Sequence, residues 1–253
     1  MNISESAVST KEYAEIFTTR GAMYHAAMQR CPRARDAEFA ALFEGTSCPA
    51  QENILDVPSG GGYLTQALDH ITPDHGCAVT PLEFSPGFSQ HPRVVDPAQP
   101  WPLPPHAFDR LVCLASTHHL KDWSTLLSNM QQMLRVGGLL HLGDVPKGSG
   151  ISTFLDDFVG RHTSTGHEGI YRDYSCCEWP DEFELVNVQL RPCPWRFERI
   201  EDCLQFCFGL FGLESSARDG LESALRRWVG LSETASGVVL HWELQFADLK
   251  RLA

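Results

Sequence analysis

Three groups of residues could carry chemistry. The run Asp56-Val57-Pro58-Ser59-Gly60-Gly61-Gly62 puts a carboxylate beside three consecutive glycines, where the apolar segment 53–57 ends. Glycines let a backbone approach a ligand closely, and a helix that begins just after them presents unpaired N–H groups. Two later acids, Glu83 and Asp96, each close a short segment of strand character. An ionised carboxylate accepts two hydrogen bonds. The second group, Ser116-Thr117-His118-His119, follows the apolar run 108–115. Imidazole titrates near neutrality, so His118 or His119 is a candidate to take up a proton, with Ser116 beside them lining the ligand site. The third group is Tyr13, Arg20 and Tyr24, spaced 7 and 4 apart and so near one face of a helix.

The glycine spacing narrows the ligand. A dinucleotide fingerprint starting at Gly60 needs glycine at position 65, where Thr65 stands, and a phosphate-binding P-loop needs Gly-Lys-Ser/Thr where the chain has Gly62-Tyr63-Leu64. No metal is expected: His162 and His167 have no cysteine at ligand spacing. The nine cysteines are scattered without a Cys-x-x-Cys pair, and several sit in apolar runs, which reads as reduced thiols. Nothing near Cys176-Cys177 marks either as a nucleophile.

The elements that must position these groups follow from periodicity. Residues 11–44 predict two helices parted by Pro32. Strands are expected at 53–57, 77–83, 93–95, 108–115 and 139–145, and helices over 63–68 and 122–135, the latter started by Asp122 and stopped by Gly137-Gly138. The five prolines of 97–105 make an extended loop. Alternating strands and helices from 53 to 145 argue for a doubly wound α/β sheet, with the near-continuous apolar run at 108–115 as a central strand. In the final third, 183–190 is a strand and 238–246 alternates strictly, so it reads as one strand. Between them, 200–213 and 216–229 are expected to be helices of an inserted cap.

The motif set 56–62, with Glu83, Asp96, 108–112 and 133–138, resembles the class I S-adenosylmethionine-dependent methyltransferases. The likeness covers about residues 50–145. Their first motif runs acidic-x-Gly-x-Gly-x-Gly; Gly60 and Gly62 match, whereas Pro58 replaces the first glycine and removes one N–H donor. The resemblance implies an α/β fold: a doubly wound, mostly parallel sheet with N-terminal helices and a helical cap inserted before the last strand. Length and periodicity add the rest: one domain is expected over 1–253, with an N-terminal helical segment at 11–45, a cofactor-binding core at 50–145, a substrate-side loop and cap at 146–236 and the final strand at 237–253. S-adenosylmethionine would be held by Asp56, Pro58, Gly60, Gly62, Glu83 on the ribose, Phe84, Asp96 toward the adenine and Ala115. Arg20 would meet the methionine carboxylate and Tyr24 the sulfonium. Tyr13, Phe154, His167 and Tyr171 are expected to line the substrate pocket, with Trp179, Trp195 and the 206–211 helix adding aromatic walls.

The expected activity is methyl transfer to a small molecule, leaving S-adenosylhomocysteine. The same cofactor site would serve an enzyme that cyclises S-adenosylmethionine to azetidine-2-carboxylic acid and releases methylthioadenosine, or a non-catalytic binding or scaffold protein. With 20 Lys and Arg against 32 Asp and Glu, the 253-residue chain has a formal charge of −12 and no basic stripe, so no nucleic-acid partner is expected. No apolar stretch reaches the ~18–20 residues of a membrane helix, and the N-terminus lacks a signal peptide's apolar core. A cytoplasmic protein is expected; oligomeric state is left open.

Overall fold

The computed structural model describes residues 13–88 and 93–253. The polar N-terminal stretch and the first two residues of the helix expected from position 11 lie outside them. In chain order the elements are α1 (Tyr13–Arg30), α2 (Asp36–Ala41), β1 (Asn53–Asp56), α3 (Tyr63–Ile71), β2 (Ala78–Pro81), β3 (Phe108–Leu114), α4 (Ser124–Met133), β4 (Leu134–Asp144) and α5 (Gly150–Thr153). Then come β5 (Phe183–Pro192), β6 (Trp195–Phe197), α6 (Ile200–Leu210), α7 (Leu221–Ala224), β7 (Leu231–Thr234), β8 (Gly237–Leu240) and β9 (Glu243–Arg251).

Six strands form the central sheet in the order β2-β1-β3-β4-β9-β5. β1 to β4 pair in parallel, and β9 runs antiparallel to both of its neighbours. Period-2 alternation sends successive side chains to opposite faces. Accordingly Ile54 and Val112 join the core shared with the cap, while Leu55, Leu111 and Cys113 join the core beneath α4. This burial on both faces is why residues 111–115 are uniformly apolar, while the buried Arg110 before them is paired with Glu52.

Four expectations change. The strictly alternating segment 238–246 is two strands in two sheets, β8 and β9. The chain breaks at His241 and Trp242, where Trp242 N–H donates to Leu240 O at 2.8 Å, and inward parity persists across the break because both sheets bury the same positions. Second, the cap is not purely helical: β6-β8-β7 form a small antiparallel sheet in it. The expected 216–229 helix is a 3₁₀ turn (Ser215–Ala217), α7, and a π turn (Leu225–Val229). Third, 93–95 contributes a single bridge, Glu83 to Val94. Fourth, α4 stops at Met133, and β4 runs straight through Gly137-Gly138, whose first member has φ +77°.

Two buried polar networks tie the N-terminal helices to this scaffold. Arg35 pairs with Glu38 and donates to the Tyr24 hydroxyl, and Trp195 Nε1 donates to Glu38 Oε2 at 2.7 Å, joining α1, α2 and the cap sheet. Beneath the sheet, Asp248 accepts from His141 Nδ1 and Arg191, both at 2.8 Å, and His141 Nε2 accepts from Arg110 at 3.1 Å. α1 itself presses on the loop after β2. A Cβ at Gly87 would lie 1.9 Å from Phe17 O, and one at Gly21 would lie 2.5 Å from Gly87 O. Among the described residues no helix is long and apolar enough to cross a membrane.

Candidate functional site

The carboxyl ends of β1, β3 and β4 open toward one cavity, the position at which open α/β sheets receive ligands. Counting the part that opens to solvent, it holds about 890 Å³ of empty space. At one end stand Asp56, Pro58, Ser59 and Gly60; α1 closes it with Tyr13, Phe17, Arg20 and Tyr24. Gly60 and Gly62 both have positive φ (+56° and +74°), and Gly62 caps α3 in the left-handed conformation that glycine tolerates. Gly62 itself does not reach the cavity wall.

Arg20 is 5% exposed, and neither its Nε nor its Nη1 has a hydrogen-bond partner. Burial lowers its pKa to about 10. A buried guanidinium with orphaned donors is costly unless an anion meets it. Ser59 Oγ, on the same wall, is also buried and unpartnered. Asp56 lies there too, its carboxyl pushed well above the usual range by burial and by the charge of Glu83.

Glu83 is fully buried and lines neither of the two cavities. Its carboxylate accepts from the N–H groups of Gly60 (2.7 Å), Phe84 (2.8 Å) and Ser85 (2.9 Å), with the Tyr13 hydroxyl at 3.5 Å. Burial raises it to about 7 against the pull of those bonds. A second cavity lies beyond Tyr13, lined by Phe84, Asp96, Leu120 and neighbours; Tyr13 and His119 face both cavities. Asp96 there also caps the loop, accepting from Ala98 N–H at 2.8 Å. Ala115, with φ +51°, lies on the first cavity's wall.

Three histidines line the first cavity opposite the glycine turn: His118 and His119 after β3, and His167 from the loop after α5. His118 Nδ1 sits 2.5 Å from Asp144 Oδ1, and Asp144 also accepts from the Thr117 hydroxyl and the His118 backbone. Burial alone would raise Asp144, but His118 and these bonds hold it below its ordinary value. His167 Nδ1 pairs with Asp156 at 2.9 Å, and burial nevertheless lowers His167 to about 4. His119 has no carboxylate partner; burial, then His118, His167 and Arg20, push it well below 6.5. Arg172 clamps this turn by donating to Thr117 O (2.7 Å) and Leu120 O (2.6 Å).

Several expected residues lie elsewhere. Ser116 is 1% exposed, faces Cys113 Sγ at 3.2 Å and stays off the cavity wall. Phe154 is wholly in the core against Phe158 and Phe211. Tyr171 stacks behind His118 at 5.7 Å and donates to Asp156, so it backs the histidines without lining the cavity. Trp179 packs on Trp123 and Tyr174, whereas Trp195 and Phe211 do line the far end, joined by Trp242, Leu210 and Phe39. Sequence reasoning missed Ser59, Tyr63, the Arg35–Glu38 pair and Trp242. Ser59 and Tyr63 flank the glycines and carried a positional signal; the others reach the cavity only through tertiary packing.

Comparison with known proteins agrees with this architecture. Residues 55–142 match the family described as "Methyltransferase domain". No curated protein matches the chain. Among solved structures, the YcgJ protein of Bacillus subtilis superposes with a TM-score of 0.53 at 12% identity, covering 85% of this chain and 98% of that one. Phosphoethanolamine N-methyltransferase 2 of Haemonchus contortus, solved with S-adenosyl-L-methionine, gives 0.51 at 13% identity, covering 93% of this chain and 57% of the other. The MccD protein gives 0.54 at 12% identity over 87% and 98%. Residues 55–142 thus resemble a methyltransferase domain, and the chain as a whole shares the fold of these solved structures.

Proposed function

We propose that the protein binds S-adenosylmethionine and transfers its methyl group to a small molecule held in the histidine-lined cavity. The observation that carries this reading is Arg20, a buried cation with two orphaned nitrogens on the cavity wall that also holds Asp56 and the glycine turn. The cofactor's α-carboxylate would supply the missing anion and Asp56 would receive its ammonium group. The adenosyl moiety would extend past Glu83 toward Phe84 and Asp96 in the second cavity. The rings of Phe17, Tyr24, Tyr63 and Phe88, packed with centroids 5.2–5.9 Å apart, would surround the sulfonium.

Methyl transfer is an in-line displacement: the acceptor's lone pair forms the new bond to the methyl carbon as the S–CH₃ bond breaks, and S-adenosylhomocysteine departs. Positioning supplies most of the acceleration. The acceptor's proton goes to a nearby base when it is a hydroxyl, thiol or ammonium group. His118, whose Nδ1 is held by Asp144, would take it on Nε2, with His167 held in place by Asp156. The aromatic far end (Trp195, Phe211, Trp242) favours a small apolar or aromatic acceptor over a macromolecule. The nine unpaired cysteines support a reducing, cytoplasmic setting.

Calorimetric titration with S-adenosylhomocysteine tests the binding half. One site per chain, lost or strongly weakened in Arg20→Met, is expected. No binding, or the same affinity in the variant, would overturn the reading.

A further inference from the structure

We propose that His118, His119 and His167 form a binding site for one borderline divalent cation of the Zn²⁺ type, with an open coordination position facing the cavity. One ring nitrogen from each of the three lies within 4.8 Å of the other two. Two of the rings are already held as metal-bound imidazoles are held: Asp144 takes His118 Nδ1 at 2.5 Å, and Asp156 takes His167 Nδ1 at 2.9 Å. A carboxylate on Nδ1 fixes the tautomer, leaves Nε2 with its lone pair and raises its basicity; this arrangement stands behind most zinc-binding histidines. Three imidazoles plus a vacant fourth position are the ligand set of a catalytic zinc site.

The geometry needs only a small closure. Three nitrogens on a tetrahedral ion at ~2.0–2.1 Å stand about 3.3 Å apart, so the rings must draw in by up to ~1.5 Å from the separation seen. His119 is the ring free to make that movement, because no carboxylate pins it. The turn that carries it is already fixed: Ile170 N–H donates to His118 O at 2.7 Å, and Arg172 clamps Thr117 and Leu120. His167 comes from 49 positions further along the chain, which is why spacing in the sequence points to no metal here. Arg20 lines the same cavity, and its charge opposes a second cation. A carboxylate docked on Arg20 removes that opposition, so the cation should bind more tightly when methionine or S-adenosylhomocysteine is present.

This inference deepens the proposed function. A hydroxyl or thiol acceptor on the open position would be acidified by coordination and would lose its proton to solvent, replacing proton uptake by an imidazole in the ion-free protein. That selects oxygen and sulfur acceptors over saturated carbon.

The test uses the full chain, stripped with chelator and titrated with Co²⁺ alone. Ligand-field absorption in the visible should saturate at one equivalent, and Zn²⁺ should bleach it. His167→Ala should abolish the signal, and Asp156→Asn, which keeps the ring and its packing, should weaken binding by about tenfold or more. His241→Ala, at an exposed histidine outside the cavity, should leave it unchanged. Substoichiometric Co²⁺ binding, or one-equivalent binding that survives His167→Ala and Asp156→Asn unaltered in folded protein, would overturn the proposal. The S-adenosylhomocysteine titration reads Arg20 and the glycine turn independently, so the two readings fail separately.

Discussion

Arg20→Met should make the free protein more stable and the nucleotide-bound protein harder to form. Arg20 is 5% exposed, with Nε and Nη1 unpaired, and its pKa falls from 12.5 to about 10. At 1.36 kcal/mol per unit, that drop corresponds to about 3 kcal/mol of charging penalty. The penalty is present in full at neutral pH, well below the folded pKa. Methionine keeps an apolar stem against Phe17 and Gly212, which lie beside the arginine chain. Removing the charge should therefore recover about 1–3 kcal/mol of stability. Binding should move the other way, because truncating one side of a buried charge pair costs about 2–5 kcal/mol, a Kd weaker by a factor of roughly thirty or more. Urea unfolding of both proteins gives the first number and calorimetry with S-adenosylhomocysteine the second. A variant that is destabilised yet binds normally would refute the assignment of Arg20 as an anion receptor.

Other expectations follow from the same contacts. Glu83 has a pKa of about 7 in the fold against 4.5 in the unfolded chain, so the native state holds the extra proton between those values. Stability should therefore fall as pH rises from about 4.5 to 7, by up to ~3 kcal/mol, and Glu83→Gln should flatten much of that slope in urea titrations. Arg35→Met strands Glu38, whose side chain is fully buried, and should cost about 3–5 kcal/mol in denaturant unfolding, more than Arg35→Met combined with Glu38→Gln. Gly87→Ala puts a Cβ 1.9 Å from Phe17 O, so α1 must lift from the loop. Nucleotide affinity should fall, and amide exchange should rise across α1 with little change in β3 and β4.

Much of the core was legible because its signals are local. The apolar run 108–115 is buried on both faces, and the glycines at 60–62 sit between β1 and α3, so periodicity and turn chemistry reported them directly. The cap was not. Its alternation at 238–246 is real, yet period 2 carries no information about which sheet each residue joins, so a crossing at His241 and Trp242 is invisible to it. The 216–229 segment has helical spacing but closes with π-type hydrogen bonds, a distinction no hydrophobic pattern encodes. The site divides in the same way. Asp56, Gly60 and the His118-His119 turn follow strand ends, which topology places together. His167, Trp242 and the Arg35–Glu38 pair reach the cavity through loop and cap packing. Glu83 shows a subtler limit: its position at a strand end was readable, but the three backbone N–H groups that engage its carboxylate depend on a loop geometry that composition does not specify.

The central claim is that the cavity holds S-adenosylmethionine so that its methyl group leaves for a second molecule. Mass spectrometry of the protein with S-adenosylmethionine labelled in the methyl carbon, alone and with a panel of small hydroxyl, thiol and amine compounds, tests it directly. The account expects intact cofactor in the protein-only sample, and S-adenosylhomocysteine plus a labelled methylated product with an accepted compound. Methylthioadenosine and a new cyclic amino acid in the protein-only sample would contradict it, because the label would then remain on the leaving nucleoside.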